Sequence, residues 1–208
     1  MGELLKFPGE ANKLGYSRVH KRGRCAADPN QLDLFVAAPA PIESFSPALS
    51  VFEQALLCDE RGDAHAAELY ARAIEQQVCV ADAYCNLGIL ESKKGRAAKA
   101  FDCFTTCLKH EPRHSEAHYN LANLYFEVND FRLAQIHYEM AVEVDPDFAN
   151  VYFNLALVQS INNDLAAAIA TLTKYQQRVT PEEARNADEL LRNLKQTLAA
   201  KKDSRLGS

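Results

Sequence analysis

At 208 residues, 48% hydrophobic and 25% charged, the chain has the make-up of an ordinary soluble globular domain with room for a tail. No run approaches the roughly 20 apolar residues that span a bilayer, and the start, Met1-Gly2-Glu3-Leu4-Leu5-Lys6, lacks the apolar core of a secretory signal and carries Lys6 where a myristoylation motif wants Ser or Thr. The net charge of −5 is unevenly spread: residues 1–27 carry Lys6, Lys13, Arg18, Lys21, Arg22 and Arg24 against Glu3 and Glu10, a net of +4, which leaves an acidic body behind a basic arm.

Residues 1–46 show no helical periodicity and hold Pro8, Pro29, Pro39 and Pro41 with Gly2, Gly9, Gly15 and Gly23, which predicts a mostly disordered arm. Inside it, Gln31-Leu32-Asp33-Leu34-Phe35 resembles the pentapeptide by which bacterial replication and repair proteins dock on the sliding clamp. That resemblance implies a linear motif of Gln31, Leu32, Leu34 and Phe35, with Leu34 and Phe35 filling an apolar pocket and Gln31 hydrogen-bonding at its rim. The alternative is an apolar clip that folds back on the chain's own helices. Direct nucleic-acid binding by the six spread cations of the arm is not expected.

From residue 47 the pattern becomes helical and repetitive. Residues 47–80 give a first hairpin, with Phe52, Leu56 and Leu57 on one apolar face, Gly62-Asp63 as the turn, and Ala66, Tyr70 and Ala73 on the second helix. Its turn-to-Ala interval is one residue shorter than that from Gly95 to Ala100, so either the turn is shortened or the first helix is out of register. Residues 81–114 and 115–148 write one pattern twice at a spacing of 34 residues, and 149–180 repeats it again. Asn86-Leu87-Gly88 returns as Asn120-Leu121-Ala122 and Asn154-Leu155-Ala156. Ala100, Ala134 and Ala168 share one later place, Phe104, Tyr138 and Leu172 another, and Pro112 and Pro146 close two copies. Turns fall at Gly95-Arg96, Asn129-Asp130 and Asn163-Asp164, because Gly and Asn accept the left-handed backbone that ends a helix and Asp caps the next one. Thr180-Pro181-Glu182-Glu183 then starts a helix over 181–200 whose stripe Ala187, Leu190, Leu191, Leu194 and Leu198 closes the end of the stack. Residues 201–208 are expected to fray.

A constant period of this length, with small and bulky residues at fixed offsets, resembles the tetratricopeptide repeat (TPR). The resemblance implies an all-α fold: a right-handed α-solenoid of about four TPR-like helical hairpins plus a C-terminal capping helix, behind a disordered N-terminal arm. It also implies a concave groove lined by the first helix of each hairpin. The groove set is Asn86, Ile89, Tyr119, Asn120, Asn123, Phe126, Phe153, Asn154 and Leu157. Asn86, Asn120 and Asn154 form a column of amides, each offering a donor and an acceptor to the backbone of an extended peptide whatever its sequence. An asparagine ladder of this kind is similar to that in the superhelix of O-linked N-acetylglucosamine transferase.

TPR domains that grip chaperone carboxylates use Lys or Arg around that Asn. Here those places are Cys85, Tyr119 and Phe153, and among the wider inner-wall positions, which in the second hairpin also include Asp82, Ser92 and Lys93, Lys93 is the only cation, so the groove is expected to prefer an apolar or aromatic segment. The chain's own Gln31–Phe35 stretch has that chemistry, which raises self-occlusion as an expectation.

Nothing points to catalysis: no phosphate loop, no nucleophile elbow and no paired His-Glu-x-x-His. His110, His114 and His118 recur every four residues, but Pro112 interrupts them, so a metal site is not expected. No cofactor is expected either. The six cysteines lack zinc-ligand spacing and read as free, buried thiols suited to a reducing cytosol.

The sequence therefore describes a bacterial, cytoplasmic, non-enzymatic scaffold that binds a partner protein or extended peptide. The alternative is a DNA replication or repair accessory protein tethered to the sliding clamp. The two predict different losses. Changing Leu34 and Phe35 to Ala should abolish capture on immobilised clamp and leave groove binding intact, whereas changing Asn120 and Asn154 should do the reverse.

Overall fold

The computed structural model describes residues 15–19 and 49–206. Among these residues there are nine α-helices and no strand, so the all-α class holds. They fall into two compact units, Arg18–His110 and the pair of segments Met1–Ser17 and Glu111–Ser208. The first holds α1 (Val51–Glu60), α2 (Ala66–Glu75), α3 (Val80–Lys93) and α4 (Ala97–His110). The second holds α5 (Ser115–Glu127), α6 (Phe131–Val144), α7 (Ala149–Ile161), α8 (Leu165–Gln176) and α9 (Pro181–Leu206).

Each hairpin turns the same way. Gly62 and Gly95 have φ of +71° and +72°, and Asn129 and Asn163 take +62° and +68°. The residue after each returns its N–H to the carbonyl five positions back: Asp63 to Cys58 at 2.8 Å, Arg96 to Glu91 at 3.0 Å, Asp130 to Tyr125 and Asp164 to Gln159 at 2.9 Å. This pairing satisfies carbonyls that a helix end would otherwise leave open. The aspartates then cap the next helix, Asp130 accepting from Leu133 N–H and Asp164 from Ala167 N–H, both at 3.1 Å.

The short first hairpin takes neither of its two expected forms, since its first helix keeps its register, with Ala55 seven residues before Gly62 as Gly88 is before Gly95. Its turn is intact, and the missing residue comes out of the second helix. α2 begins on Ala66 itself, whereas α4 begins at Ala97, three residues ahead of the equivalent Ala100. Ala66, Tyr70 and Ala73 still reach the core of their unit, together with Phe52, Ala55, Leu56 and Ala83.

In the second unit, one core joins Tyr119, Ala122, Ala134, Tyr138 and Ala141 to Val151, Leu155 and Val158. Another joins Tyr152, Ala156, Leu165, Ala168, Leu172 and Tyr175 to Ala187, Leu190 and Leu194 of α9. The stripe on α9 thus covers the last hairpin, and Thr180 and Glu183 close a reciprocal capping box at its start. The helix continues to Leu206 where fraying was expected from 201.

Cys58, Cys85, Cys103 and Cys107 keep their thiols outside any disulfide, and Cys107 is fully buried. Burial pushes the Cys103 thiol up to about 11. Cys79 is disulfide-bonded, which corrects the expectation of free thiols throughout.

Close approach inside the second hairpin depends on one missing side chain. A Cβ on Gly88 would lie 2.7 Å from Phe104 Cε1 and 3.1 Å from Cys103 Cβ. Phe104 is fully buried, so its ring has nowhere to yield. Gly88→Ala should therefore lower unfolding free energy by roughly 1–3 kcal/mol despite its better helix propensity. Urea unfolding followed by circular dichroism checks this, and an unchanged or higher midpoint would mean that the hairpin opens freely there.

Candidate functional site

The column of amides divides in the folded chain. In the unit Arg18–His110, Asn86 is fully buried and pairs both ways with one residue of the N-terminal arm. Val19 N–H donates to Asn86 Oδ1 at 3.1 Å, and Asn86 Nδ2 donates to Val19 O at 3.1 Å. In the other unit, Asn120 repeats the arrangement: Ser17 N–H donates to its Oδ1 at 2.9 Å, and its Nδ2 donates to Ser17 O at 2.9 Å. The N–H and C=O of one residue point the same way only where the backbone is extended, and alternate residues then share that side. Ser17 and Val19 are such alternates.

The residues between and before them make side-chain contacts. Arg18 places Nη2 2.7 Å from Asp59 Oδ1, and its Nη1 reaches the Asp59 carbonyl at 3.5 Å. Tyr70 OH donates to the other carboxylate oxygen of Asp59 at 3.3 Å. Burial, and then the Asp59 carboxylate, holds the Tyr70 phenol well above its ordinary range. Burial lowers the Lys93 pKa, assisted by Arg18 and opposed by Asp59. In the second unit, Tyr16 OH donates to Glu127 Oε1 at 3.0 Å.

The third amide is committed elsewhere. Asn154 Nδ2 donates to Tyr119 OH at 3.1 Å and lies 3.5 Å from Asn123 Oδ1. Asn123 Oδ1 also accepts from Tyr138 OH at 2.5 Å, while its own Nδ2 is buried without a partner. Burial raises the pKa of both Tyr119 and Tyr138, so these hydroxyls stay protonated.

The apolar members of the expected groove set are packed to different degrees. Ile89 is fully enclosed. Phe126 meets Phe131 edge-on at 5.3 Å, and Phe153 meets Tyr175 at 5.3 Å. Leu157 is partly buried against the core shared with α9. Gln31, Leu32, Leu34 and Phe35 lie outside the described residues, and the arm residues paired with Asn86 and Asn120 are Val19 and Ser17.

Sequence reading missed Asp59, Tyr70, Arg18 and Val19. Asp59 stands three residues before Gly62, as Ser92 stands three before Gly95, and Ser92 belongs to the inner-wall positions. The same count applied to the shortened first copy finds Asp59.

The histidines each have structural work. His114 Nδ1 accepts from Ala117 N–H at 3.1 Å and caps α5, and His110 stacks on Tyr84 with centroids 5.8 Å apart. His118 Nε2 is 3.0 Å from the Pro112 carbonyl, an acceptor, so that nitrogen carries the proton. Its Nδ1 then accepts from His137 Nδ1, 3.1 Å away. Tyr152 serves the same place one repeat later, donating to the Pro146 carbonyl at 2.8 Å.

With this geometry in view, comparison with known proteins gives one family. Sequence models described as tetratricopeptide repeat match residues 79–147 and 119–184. The chain carries tetratricopeptide repeats. The human "Tetratricopeptide repeat protein 6" is 25% identical over 108 residues, which is 52% of this chain and 21% of that relative's length. Among solved structures, the first TPR of Spaghetti (RPAP3) bound to HSP90 peptide SRMEEVD is 22% identical, with a TM-score of 0.53 over 57% of this chain and 93% of that one. MamA reaches a TM-score of 0.55 at 15% identity, over 75% of this chain and 99% of its own. These neighbours share the TPR fold. No helix among the described residues is long and apolar enough to cross a membrane.

The His118–His137 pair gives this TPR chain an acid-sensitive joint. Burial, then His118, lowers the His137 pKa to about 4, and burial also lowers that of His118. The unfolded imidazole titrates near 6.5. The folded chain resists that proton, so stability is complete above about pH 6.5 and falls as pH drops toward 4. For a pair only partly enclosed, the loss is on the order of 1–2 kcal/mol. Urea midpoints at pH 7.5 and 5.0 measure it, and His137→Gln should flatten the difference.

Proposed function

We propose that this chain is a non-enzymatic adaptor that holds an extended segment of a partner protein by that segment's backbone. The observation that carries the reading is the two-way amide pairing of Asn86 with Val19 and of Asn120 with Ser17. A side-chain amide that both donates to and accepts from one residue imitates the edge of a β-strand, and it does so without regard to the side chain it holds. Both amides are fully buried, so their hydrogen-bonding groups need a backbone or water to satisfy them.

The fold neighbours support peptide capture as a use of this architecture. One is described as bound to the HSP90 peptide SRMEEVD and another, TPR2B of yeast Sti1, as a complex with pHsp70. The chemistry of this chain differs from an acid-binding groove, because Asp59 and Glu127 face the arm residues and supply negative charge beside the amides. The partner segment is accordingly extended and not acidic.

A direct test begins from the full chain with Ser17→Pro and Val19→Pro, which removes the two backbone N–H groups that donate to Asn120 and Asn86. Extended peptides selected against that protein from a random library should bind about tenfold more weakly when the amide of the unit they occupy is removed, by Asn120→Ala in one unit or Asn86→Ala in the other. That factor corresponds to two neutral hydrogen bonds of which about 1.4 kcal/mol survives net. Failure to select any peptide, or affinities indifferent to both changes, would sink the proposal.

A further inference from the structure

The pairing of amides with backbone leaves unexplained why Asp59 is where it is. Its side chain is only 3% exposed, and among the described residues the helical scaffold offers its carboxylate one hydrogen bond, from the Tyr70 hydroxyl, with Lys93 acting on it through charge alone. An enclosed carboxylate is costly unless a cation meets it with good geometry. Here the cation is delivered by Arg18, which belongs to no helix and enters the site with the arm.

The fit is specific to a guanidinium. One terminal nitrogen meets the carboxylate at 2.7 Å and the other points to the carbonyl of the same residue, in the last turn of α1. That end of a helix carries partial negative charge, so two acceptors and a dipole converge on one planar fork. An ammonium group carries its three donors on one atom, so it cannot set separate nitrogens on the two acceptors as the planar fork does. The next place is equally selective. Val19 is 1% exposed while Asn86 holds its backbone, so the pocket admits a small branched side chain and shuts out a charged one.

We infer that Asp59, Tyr70 and Asn86 form a recognition site for an arginine followed by a small β-branched residue in an extended peptide, and that Arg18 and Val19 occupy it as the chain's own substitute for a partner segment of that chemistry. The inference rests on the peptide-binding reading and adds a side-chain requirement to it. External peptide and internal segment compete for one place, and the internal one has the advantage of being tethered.

The test uses the full chain and a fluorescein-labelled peptide copying residues 14–22, read by fluorescence polarisation. In Arg18→Glu the internal segment is repelled from Asp59, and the added peptide should bind at least tenfold tighter than it does to the wild-type chain. Arg18→Ala serves as a second release variant, with thermal melts recorded for both. On either released chain, a peptide with Lys at the arginine position should bind about tenfold more weakly, and one with Glu there should not bind. Adding Asp59→Asn should remove the preference for arginine. Equal binding of the Arg, Lys and Glu peptides would overturn the arginine site while leaving backbone capture standing. Binding of no peptide by either released chain would overturn both. Equal affinity of wild-type and released chains would overturn the internal substitute.

Discussion

The left-handed residue at each hairpin turn is the constraint from which the rest of the structure is measured. Gly62, Gly95, Asn129 and Asn163 each end a first helix with the same backbone pairing, so every position on that helix lies a fixed number of steps from the turn. Nine residues earlier stand Asn86, Asn120 and Asn154, and seven earlier stand Ala55, Gly88, Ala122 and Ala156. The small residues set how closely the two helices of a hairpin approach, as the contact of Gly88 with Phe104 shows. The amides are then carried to an equivalent height on each helix. A slip of one residue at the turn would rotate them by about 100° and remove them from the site.

Equivalent placement does not give equivalent use. Asn86 and Asn120 pair with the backbone of the arm, while Asn154 is absorbed by Tyr119 and Asn123. The difference lies in the neighbours. Tyr119 and Tyr138 bring hydroxyls into the α5–α7 region of the second unit, and a buried amide beside them satisfies itself locally. Sequence periodicity reports a position on a helix and is silent about which hydrogen bonds its neighbours leave unclaimed.

Most of the architecture was legible for the same reason. Turn residues, aspartate caps and the α9 stripe each have a local physical cause, so reading them one at a time succeeds. The first hairpin shows the limit. The shortened interval after Gly62 was visible, but only the position of α2 decided which element had lost the residue. The arm shows a second limit. Its prolines and glycines pointed away from regular structure, and its most apolar stretch drew attention to Gln31–Phe35. The residues that meet the amides are Ser17 and Val19, in a stretch with no hydrophobic periodicity. An extended segment held by its backbone needs no pattern of its own, so nothing in its composition announces it. Arg18 was counted only as one charge among six, because its partner Asp59 lies 41 positions away.

The commitment of Asn154 to its own unit also bears on how much a ligand must spell out. On the proposed reading each unit offers one amide to a peptide group, so backbone recognition there covers a residue or so and carries almost no information about which one. Sequences able to satisfy so short a template arise and vanish by single substitutions, so discrimination falls on whatever side chain must answer the enclosed charge of Asp59.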